Sequence, residues 1–179
     1  MSVAPVDTVP SAPVVALIAF GGNLGECREA FVAARKSLDH GGVTVIASSP
    51  LYRTEPIGGP KGQPDYLNSV VQVETTLSPL QLLNRCHELE QQAGRQRLEH
   101  WGARTLDLDL LIYGQLVCAT PRLILPHPRL HQRRFVLAPL CALVPAWQHP
   151  VLRQTFAALL ATLPSNVADG AVQRVESMW

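Results

Sequence analysis

Apolar and polar positions along the chain follow two periods. Val14 to Phe20, VVALIAF, is an unbroken apolar run rich in β-branched residues that stops at Gly21-Gly22. It predicts a buried strand. Glu26 to about His40 holds helix formers, with Phe31, Ala34, Arg35 and Leu38 sharing a face in part, and Gly41-Gly42 ends it. Val43 to Ser49 predicts a second strand. Residues 50–64 carry Pro50, Pro56, Pro60, Pro64, Gly58, Gly59 and Gly62, and read as a long loop. Tyr66 to Thr75 alternates: Tyr66, Asn68, Val70 and Gln72 face one way, and Leu67, Ser69, Val71 and Val73 the other. Ser78-Pro79-Leu80-Gln81 has the residues of a capping box with proline in the first turn, so it predicts a helix to about Ala93 with Gly94 as its stop. The polar, basic stretch RQRLEHWGAR follows over 95–104. Next come a strand from Thr105 to Tyr113, a turn at Gly114-Gln115, and hairpin material over 116–125 interrupted by Pro121. Helices are predicted over 129–143 and 151–163, separated by Pro145 and Pro150.

The order β-α-β-β-α-β predicts an α+β fold. It is a ferredoxin-like βαββαβ core with an added β-hairpin and C-terminal helices, the helices packed on a mainly antiparallel sheet. A doubly wound fold would need more alternating βα units. At 179 residues the chain is long enough for one core, assigned to residues 14–179. Residues 1–13, MSVAPVDTVPSAP, hold three prolines and no positively charged leader region, and read as a disordered tail, not a signal peptide. The run Val14 to Phe20 is far too short to span a bilayer. The expectation is a cytoplasmic protein with no membrane partner.

Charge narrows the classes further. A net charge of +1 provides no bulk field for nucleic acid or an anionic membrane. The basic residues are thirteen arginines against Lys36 and Lys61, and guanidinium suits planar recognition of phosphates. Cys27, Cys86, Cys118 and Cys141 form no CxxC pair, so reduced thiols are expected. His127 and His131 flank Pro128 with no Cys or Glu to complete a zinc set.

The sharpest local feature is RTLDLDLLIYG over 104–114. Period two puts Asp107 and Asp109 on one face, roughly 6.6 Å apart at their Cα atoms, with Leu106, Leu108 and Leu110 on the other. Paired carboxylates can hold one metal or straddle two, and hard oxygen ligands without His or Cys favour Mg²⁺. A bare pair of this kind also occurs on solvated strand faces. The apolar run Leu110 to Tyr113 speaks for a central strand instead. Arg95, Arg97 and Arg104 precede the pair and Arg122, Arg129, Arg133 and Arg134 follow, a pattern suited to a polyphosphate held by guanidinium forks. Arg129 and Arg134 also fit ordinary surface charge. There is no GxxxxGK[ST], no GxGxxG and no protein-kinase motif set. Gly22-Asn23 reads as a tight turn, not a phosphate cradle. Tyr66 and Asn68 share a strand face, where an aromatic and an amide can stack on and bond to a flat heterocycle; core packing for the aromatics Tyr66 and Phe135 and a turn role for Asn68 are the plainer readings.

Four ordered segments then carry a resemblance. GARTLDLDLLI over 102–112 closely resembles the signature of the 6-hydroxymethyl-7,8-dihydropterin pyrophosphokinases. IAFGGNLGE, YRTEP followed by QPDYLNSVV, and LPHPRLHQRRFVLAPL are similar to further segments of that family, in the same order. The resemblance covers about 14–145. It implies transfer of the β,γ-diphosphate of ATP to the pterin hydroxymethyl group with release of AMP, in folate biosynthesis. It implies two Mg²⁺ on Asp107 and Asp109. It implies ATP contacts from Glu90, Arg97, Trp101, Arg104, Leu110, Arg122, His127 and Arg133. Tyr66 and Phe135 would sandwich the pterin ring, with Asn68 and the backbone around Thr54, Glu55 and Ile57 reading its edge. Arg95 and Arg97 would act in catalysis from the loop that closes over the phosphates. A monomer acting on small molecules is implied, with no nucleic acid partner.

Some positions depart from the family pattern. Gly22 stands where Ser is common, His87 where Gln can contact adenine, His100 where a lid Arg is usual, Ile124 in place of a polar contact, and Ala103 in place of Pro. Two other classes compete. A nucleotidyltransferase also uses paired aspartates and Mg²⁺ but releases pyrophosphate. An RNA-binding module on a ferredoxin-like sheet would need an aromatic RNP strand, and none is present.

Overall fold

The structure, a computed structural model, describes residues 6–58, 60, 62–94, 103–164, 171–176 and 179. The apolar run at the start forms β1 (Val14–Gly22), an inner strand of the sheet. It pairs antiparallel with β4 (Tyr66–Thr75) on one side and β5 (Asp107–Tyr113) on the other. β2 (Val43–Ser48) pairs with the second half of β4, Val43 opposite Thr75. The order β5-β1-β4-β2 is the expected ferredoxin-like arrangement.

β4 outlasts β2 and takes a second partner. Its first residues pair with β3 (Leu51–Thr54), which in turn pairs with β8 (Gln173–Glu176). The change of partner is bonded at Ser49, which is buried. Its hydroxyl accepts from the Val70 amide at 2.9 Å, and its carbonyl accepts from the Trp179 indole at 2.8 Å. β3 lies inside the expected 50–64 loop. Four residues between prolines carry no legible period, and the strand exists because β4 and β8 flank it. β8 was likewise not expected. It is a polar edge strand with Val175 exposed, so it lacks the apolar alternation that marks a half-buried strand.

Helices α1 (Cys27–Leu38) and α2 (Pro79–Gln92) cover one face of the sheet. The capping box forms as its residues predict. Ser78 Oγ accepts from the Gln81 amide at 3.3 Å, and Gln81 Oε1 accepts from the Ser78 amide at 2.8 Å. Phe31, Leu38, Leu82 and Leu89 pack on Ala16, Ile18, Phe20, Val71, Val73 and the trio Leu106, Leu108 and Leu110. Trp179 closes this core, 5.6 Å from the Phe20 ring. Val6 also belongs to it, and its carbonyl accepts from the Leu80 amide at 3.2 Å. Residues 6–13 of the expected disordered tail are therefore placed at least at Val6, by burial and by bonding an otherwise unpaired first-turn N–H of α2.

The other face carries α3 (Arg134–Leu143) and α4 (Phe156–Thr162). Leu17, Val70, Leu111 and Ile112 meet Leu137, Leu140 and Phe156 there. Leu17 pairs with Ile112 and Ile18 with Leu110, which leaves Leu111 in a bulge and turns both Leu111 and Ile112 into this second core. β6 (Cys118–Ala119) and β7 (Ile124–Leu125) form the expected hairpin.

Both C-terminal helices are shorter than their patterns predict. The expected 129–143 helix is a 3₁₀ turn, Leu130–Gln132, then an extended Arg133 (φ −117°, ψ 112°), then α3. A continuous helix would put Arg133 and Phe135 about 200° apart; the break lets both face one cavity. The expected 151–163 helix starts only at Phe156. Arg153 has φ 58°, the chain folds back to pair Gln148 with Thr155, and Thr155 caps α4 through the Ala158 amide at 3.1 Å.

Candidate active site

The second face is only half covered, and the uncovered half is the site. Strand register aligns its side chains in two rows. Asn68, Gly21 and Asp107 lie opposite one another across β4, β1 and β5, and Val70, Ala19 and Asp109 form the next row. The middle strand contributes almost no bulk. A Cβ on Gly21 would lie 3.8 Å from both Asn68 Oδ1 and Asp107 Cβ. Small residues between functional ones leave a hollow of about 530 Å³.

Period two does place Asp107 and Asp109 together on its wall, half-buried, with the intervening leucines in the core. Arg104 Nη1 donates to Asp107 Oδ2 at 2.6 Å, a charge-assisted bond. Burial works against the Arg104 charge, yet Asp107 first, then Tyr66 and Asp109, more than offset it and raise its pKa. Burial likewise pushes the Tyr66 phenol up, opposed by Arg104. Asn68 is buried and its Nδ2 donates to Thr54 Oγ1 at 2.9 Å. That bond crosses from β4 to β3, so the strand missing from the sequence pattern supplies one edge of the hollow. Glu55 and Ile57 continue that edge.

The opposite wall comes from the segment between β7 and α3. The His127 amide donates to the Leu111 carbonyl at 2.9 Å, which pins the segment to β5. Burial lowers the His127 pKa; Asp109 opposes this, and Arg133 and Arg129 add to it. His127 Nδ1 accepts from the Arg129 amide at 3.3 Å. The Arg133 guanidinium lies 5.5 Å from the Phe135 ring centroid, a cation–π contact.

Thr54, Glu55, Ile57, Tyr66, Asn68, Arg104, Asp107, Asp109, His127, Arg133 and Phe135 thus surround one cavity. Glu90, Leu110 and Arg122 are not on its wall. Glu90 is buried on α2, and its Oε1 accepts from the Leu108 amide at 2.7 Å, on the edge of β5 away from β1. Leu110 is buried in the first core, and Arg122 Nη2 donates to Asn84 Oδ1 of α2 at 3.3 Å. Arg95, Arg97 and Trp101, with His100, lie outside the described residues.

Three features escape the sequence patterns. Arg129, which fits ordinary surface charge in the sequence, lines the cavity; its two-residue spacing from His127 was the available signal. Gly21 and Ala19 matter through what they omit. Asn23 is buried at the foot of the site. Gly22, where the family commonly has Ser, packs so closely that a Cβ would fall 2.6 Å from the Thr105 carbonyl oxygen. Any larger residue there requires the 104–105 backbone to move.

Among the described residues no group of three or more His, Cys, Asp or Glu gathers as a metal cage. Two carboxylates beside arginines fit a small hard cation that completes its shell with water and phosphate oxygens. An antiparallel sheet with two carboxylates, three guanidinium groups and an aromatic-lined slot is suited to a polyanion beside a flat ring.

The chain belongs to the family of 7,8-dihydro-6-hydroxymethylpterin-pyrophosphokinases, whose profile matches residues 17–145. It is 44% identical over 128 residues to the 2-amino-4-hydroxy-6-hydroxymethyldihydropteridine pyrophosphokinase of Haemophilus influenzae, covering 71% of this chain and 79% of that protein. The Bacillus subtilis protein of the same name is 41% identical over 128 residues, covering 70% and 75%. In fold the chain is similar to Plasmodium falciparum HPPK-DHPS, with a TM-score of 0.67 at 14% identity. The likeness covers 87% of this chain and 45% of that one, so the chain spans less than half the length of that solved structure.

Proposed function

We propose that the chain transfers the diphosphate of ATP to the hydroxymethyl group of 6-hydroxymethyl-7,8-dihydropterin, with AMP as the second product, in folate synthesis. One observation carries the site assignment. A single hollow has an amide and aromatics at one end, Asn68, Tyr66 and Phe135, and carboxylates with guanidinium groups at the other. That is the complement of a flat polar ring joined to a polyphosphate.

The hydroxymethyl oxygen attacks the β-phosphorus of ATP in line, and the bond to the α-phosphate oxygen breaks to release AMP. The residues of this chain act mainly by position and charge. Tyr66 and Phe135 stack on the pterin, and Asn68, fixed by Thr54, reads its edge. Arg104, Arg133 and Arg129 approach the phosphates. Burial favours the neutral form of His127. Accepting at Nδ1 leaves its Nε2–H free in direction to donate to a phosphate oxygen. Asp107 and Asp109 would hold two Mg²⁺, which supply charge neutralisation of the triphosphate. Two carboxylates with no third His, Cys, Asp or Glu gathered beside them among the described residues support magnesium over a caged metal.

The nucleotide base has its own edge. Leu108 directs its N–H outward from β5 to Glu90. By the period of the strand, the Leu110 backbone points the same way, beside Glu90. Arg122, which bonds Asn84 of α2, is assigned to the nucleotide as well, and Arg95, Arg97 and Trp101 are assigned to the closing loop.

We further infer a cytoplasmic monomer. The four cysteines are all free thiols, which accords with a reducing compartment. Among the described residues no helix is long and apolar enough to cross a membrane.

The test is product analysis with ATP, Mg²⁺ and 6-hydroxymethyl-7,8-dihydropterin. Equal amounts of AMP and pterin diphosphate are expected; free pyrophosphate in place of AMP marks a nucleotidyltransferase and sinks the assignment. Chelating Mg²⁺ should stop turnover. Tyr66→Ala should raise the KM for pterin about tenfold, the equivalent of ~1.4 kcal/mol, with the KM for ATP little changed. Equal rises in both would refute the stacking role.

A further inference from the structure

Asn23 follows β1 and is 4% exposed. Its short side chain makes three hydrogen bonds, each to a segment about forty or more positions away. Nδ2 donates to the Pro64 carbonyl at 3.1 Å and to Gln63 Oε1 at 3.2 Å. Oδ1 accepts from the Arg104 amide at 2.9 Å. The Asn23 and Leu24 amides both donate to the Arg104 carbonyl, at 2.9 and 3.1 Å. Two backbone partners settle which way the amide points, because Arg104 N–H must meet oxygen and the Pro64 carbonyl must meet nitrogen.

The two segments it joins lead into β4 and β5, the strands on either side of β1 at the site. Residues 63–64 lead into Tyr66, and Arg104 leads into Asp107. Tyr66 itself approaches Gln63 Oε1, at 3.5 Å, and interacts with Arg104. The contacts therefore form a closed loop: Asn23 to Gln63, Gln63 to Tyr66, Tyr66 to Arg104, and Arg104 back to Asn23. Gly22 lets the chain come close enough to make it, since a Cβ there would strike the Thr105 carbonyl.

We propose that Asn23 is a positioning residue that sets the pterin-binding segment against the phosphate-binding segment, so that both substrates meet in reacting register. This rests on the assignment of Tyr66 to the pterin and Arg104 to the phosphates. Asn23 is not on the wall of the cavity. It acts through the Pro64 carbonyl on one side and the Arg104 backbone on the other. A turn-forming asparagine would bond its own neighbours; this one bonds only distant chain.

The two arms can be cut separately. Asn23→Asp keeps an oxygen for the Arg104 amide but turns an acceptor toward the Pro64 carbonyl, which cannot adapt. The KM for pterin should rise about tenfold, the size expected from one unpaired buried polar group, with the KM for ATP within about twofold. Asn23→Ala removes both arms and should raise both constants and lower kcat. Gln63→Ala, at a half-buried loop position, should raise only the pterin KM, by a smaller factor. Thermal unfolding is measured on each protein. A lower melting temperature with both KM values unchanged, or equal changes in both for Asn23→Asp, would overturn the proposal in favour of a purely structural role. If Asn23→Asp does not fold, Gln63→Ala decides by the same split. Should the wild-type protein form no pterin diphosphate, the functional assignment fails first, which separates the two outcomes.

Discussion

The two faces of the central sheet use the same strands for opposite ends. Under α1 and α2, β1, β4 and β5 present Ile18, Phe20, Val71, Val73 and Leu108, all buried. Turned over, the same strands begin alike, with Leu17, Val70 and Ile112 under α3. They then change to Ala19, Gly21, Asn68, Asp107 and Asp109. One face is packed along its length, and the other stops packing halfway. The polar groups of the site are held by strands whose opposite faces are anchored. Their geometry is thus set by apolar burial, at roughly 1.5–3 kcal/mol per large side chain, without the site having to stabilise itself.

This division can be tested from each side. The largest effect is expected on the open face: Asp109→Asn should lower kcat/KM by about 10³-fold, equivalent to ~4 kcal/mol. Its urea midpoint should stay close to that of the wild type, and a large loss of stability would show the carboxylate to be structural. The covered face should respond in reverse. Leu108→Ala, one residue away, should destabilise by ~2–5 kcal/mol through the cavity it leaves, while turnover per folded molecule is largely retained. A variant that folds normally but is inactive would erase the distinction between the faces.

The smallest effect concerns the turn that supports α4. His149 is buried, and its Nδ1 accepts from the Val151 and Leu152 amides, both at 3.2 Å. Burial first, then the charge of His131, hold its pKa below the ordinary value of 6.5. Between that lowered value and 6.5 the unfolded chain binds more protons than the folded one. The stabilisation is therefore complete above pH 6.5 and is lost as pH falls through the folded value, with a slope of at most ~1.4 kcal/mol per pH unit. His149→Asn keeps an acceptor but does not titrate. Unfolding free energies measured from pH 5 to 7 should lose this slope in the variant; identical slopes would exclude His149 as the source.

Much of this was legible from local pattern. The apolar run of β1, the alternation of β4 and the capping box of α2 depend on neighbours in sequence, and each forms within a residue or two of its expected bounds. The shared side of Asp107 and Asp109 follows from period two alone. What stayed hidden depends on pairing at long range. Nothing in LYRT or QRVE signals a strand, because β3 and β8 stabilise one another beside β4. Nothing in Gly22-Asn23 signals a link to Arg104, 81 positions on. Arg129 stands among the arginines that bracket the aspartate pair but fits surface charge equally well, since only the break before α3, with extended backbone at Arg133, brings both residues to one cavity.

The outer side of β5 has a further consequence. A strand paired on one side only exposes backbone groups that can recruit a strand from another molecule. Here the Glu90 carboxylate occupies the Leu108 amide, and the His127 amide occupies the Leu111 carbonyl. Two residues proposed for nucleotide binding therefore also occupy backbone groups of the unpaired strand edge. A substitution at Glu90 is expected to expose a strand-edge group as well as to alter the nucleotide slot, and so to lower the concentration at which the protein stays dispersed.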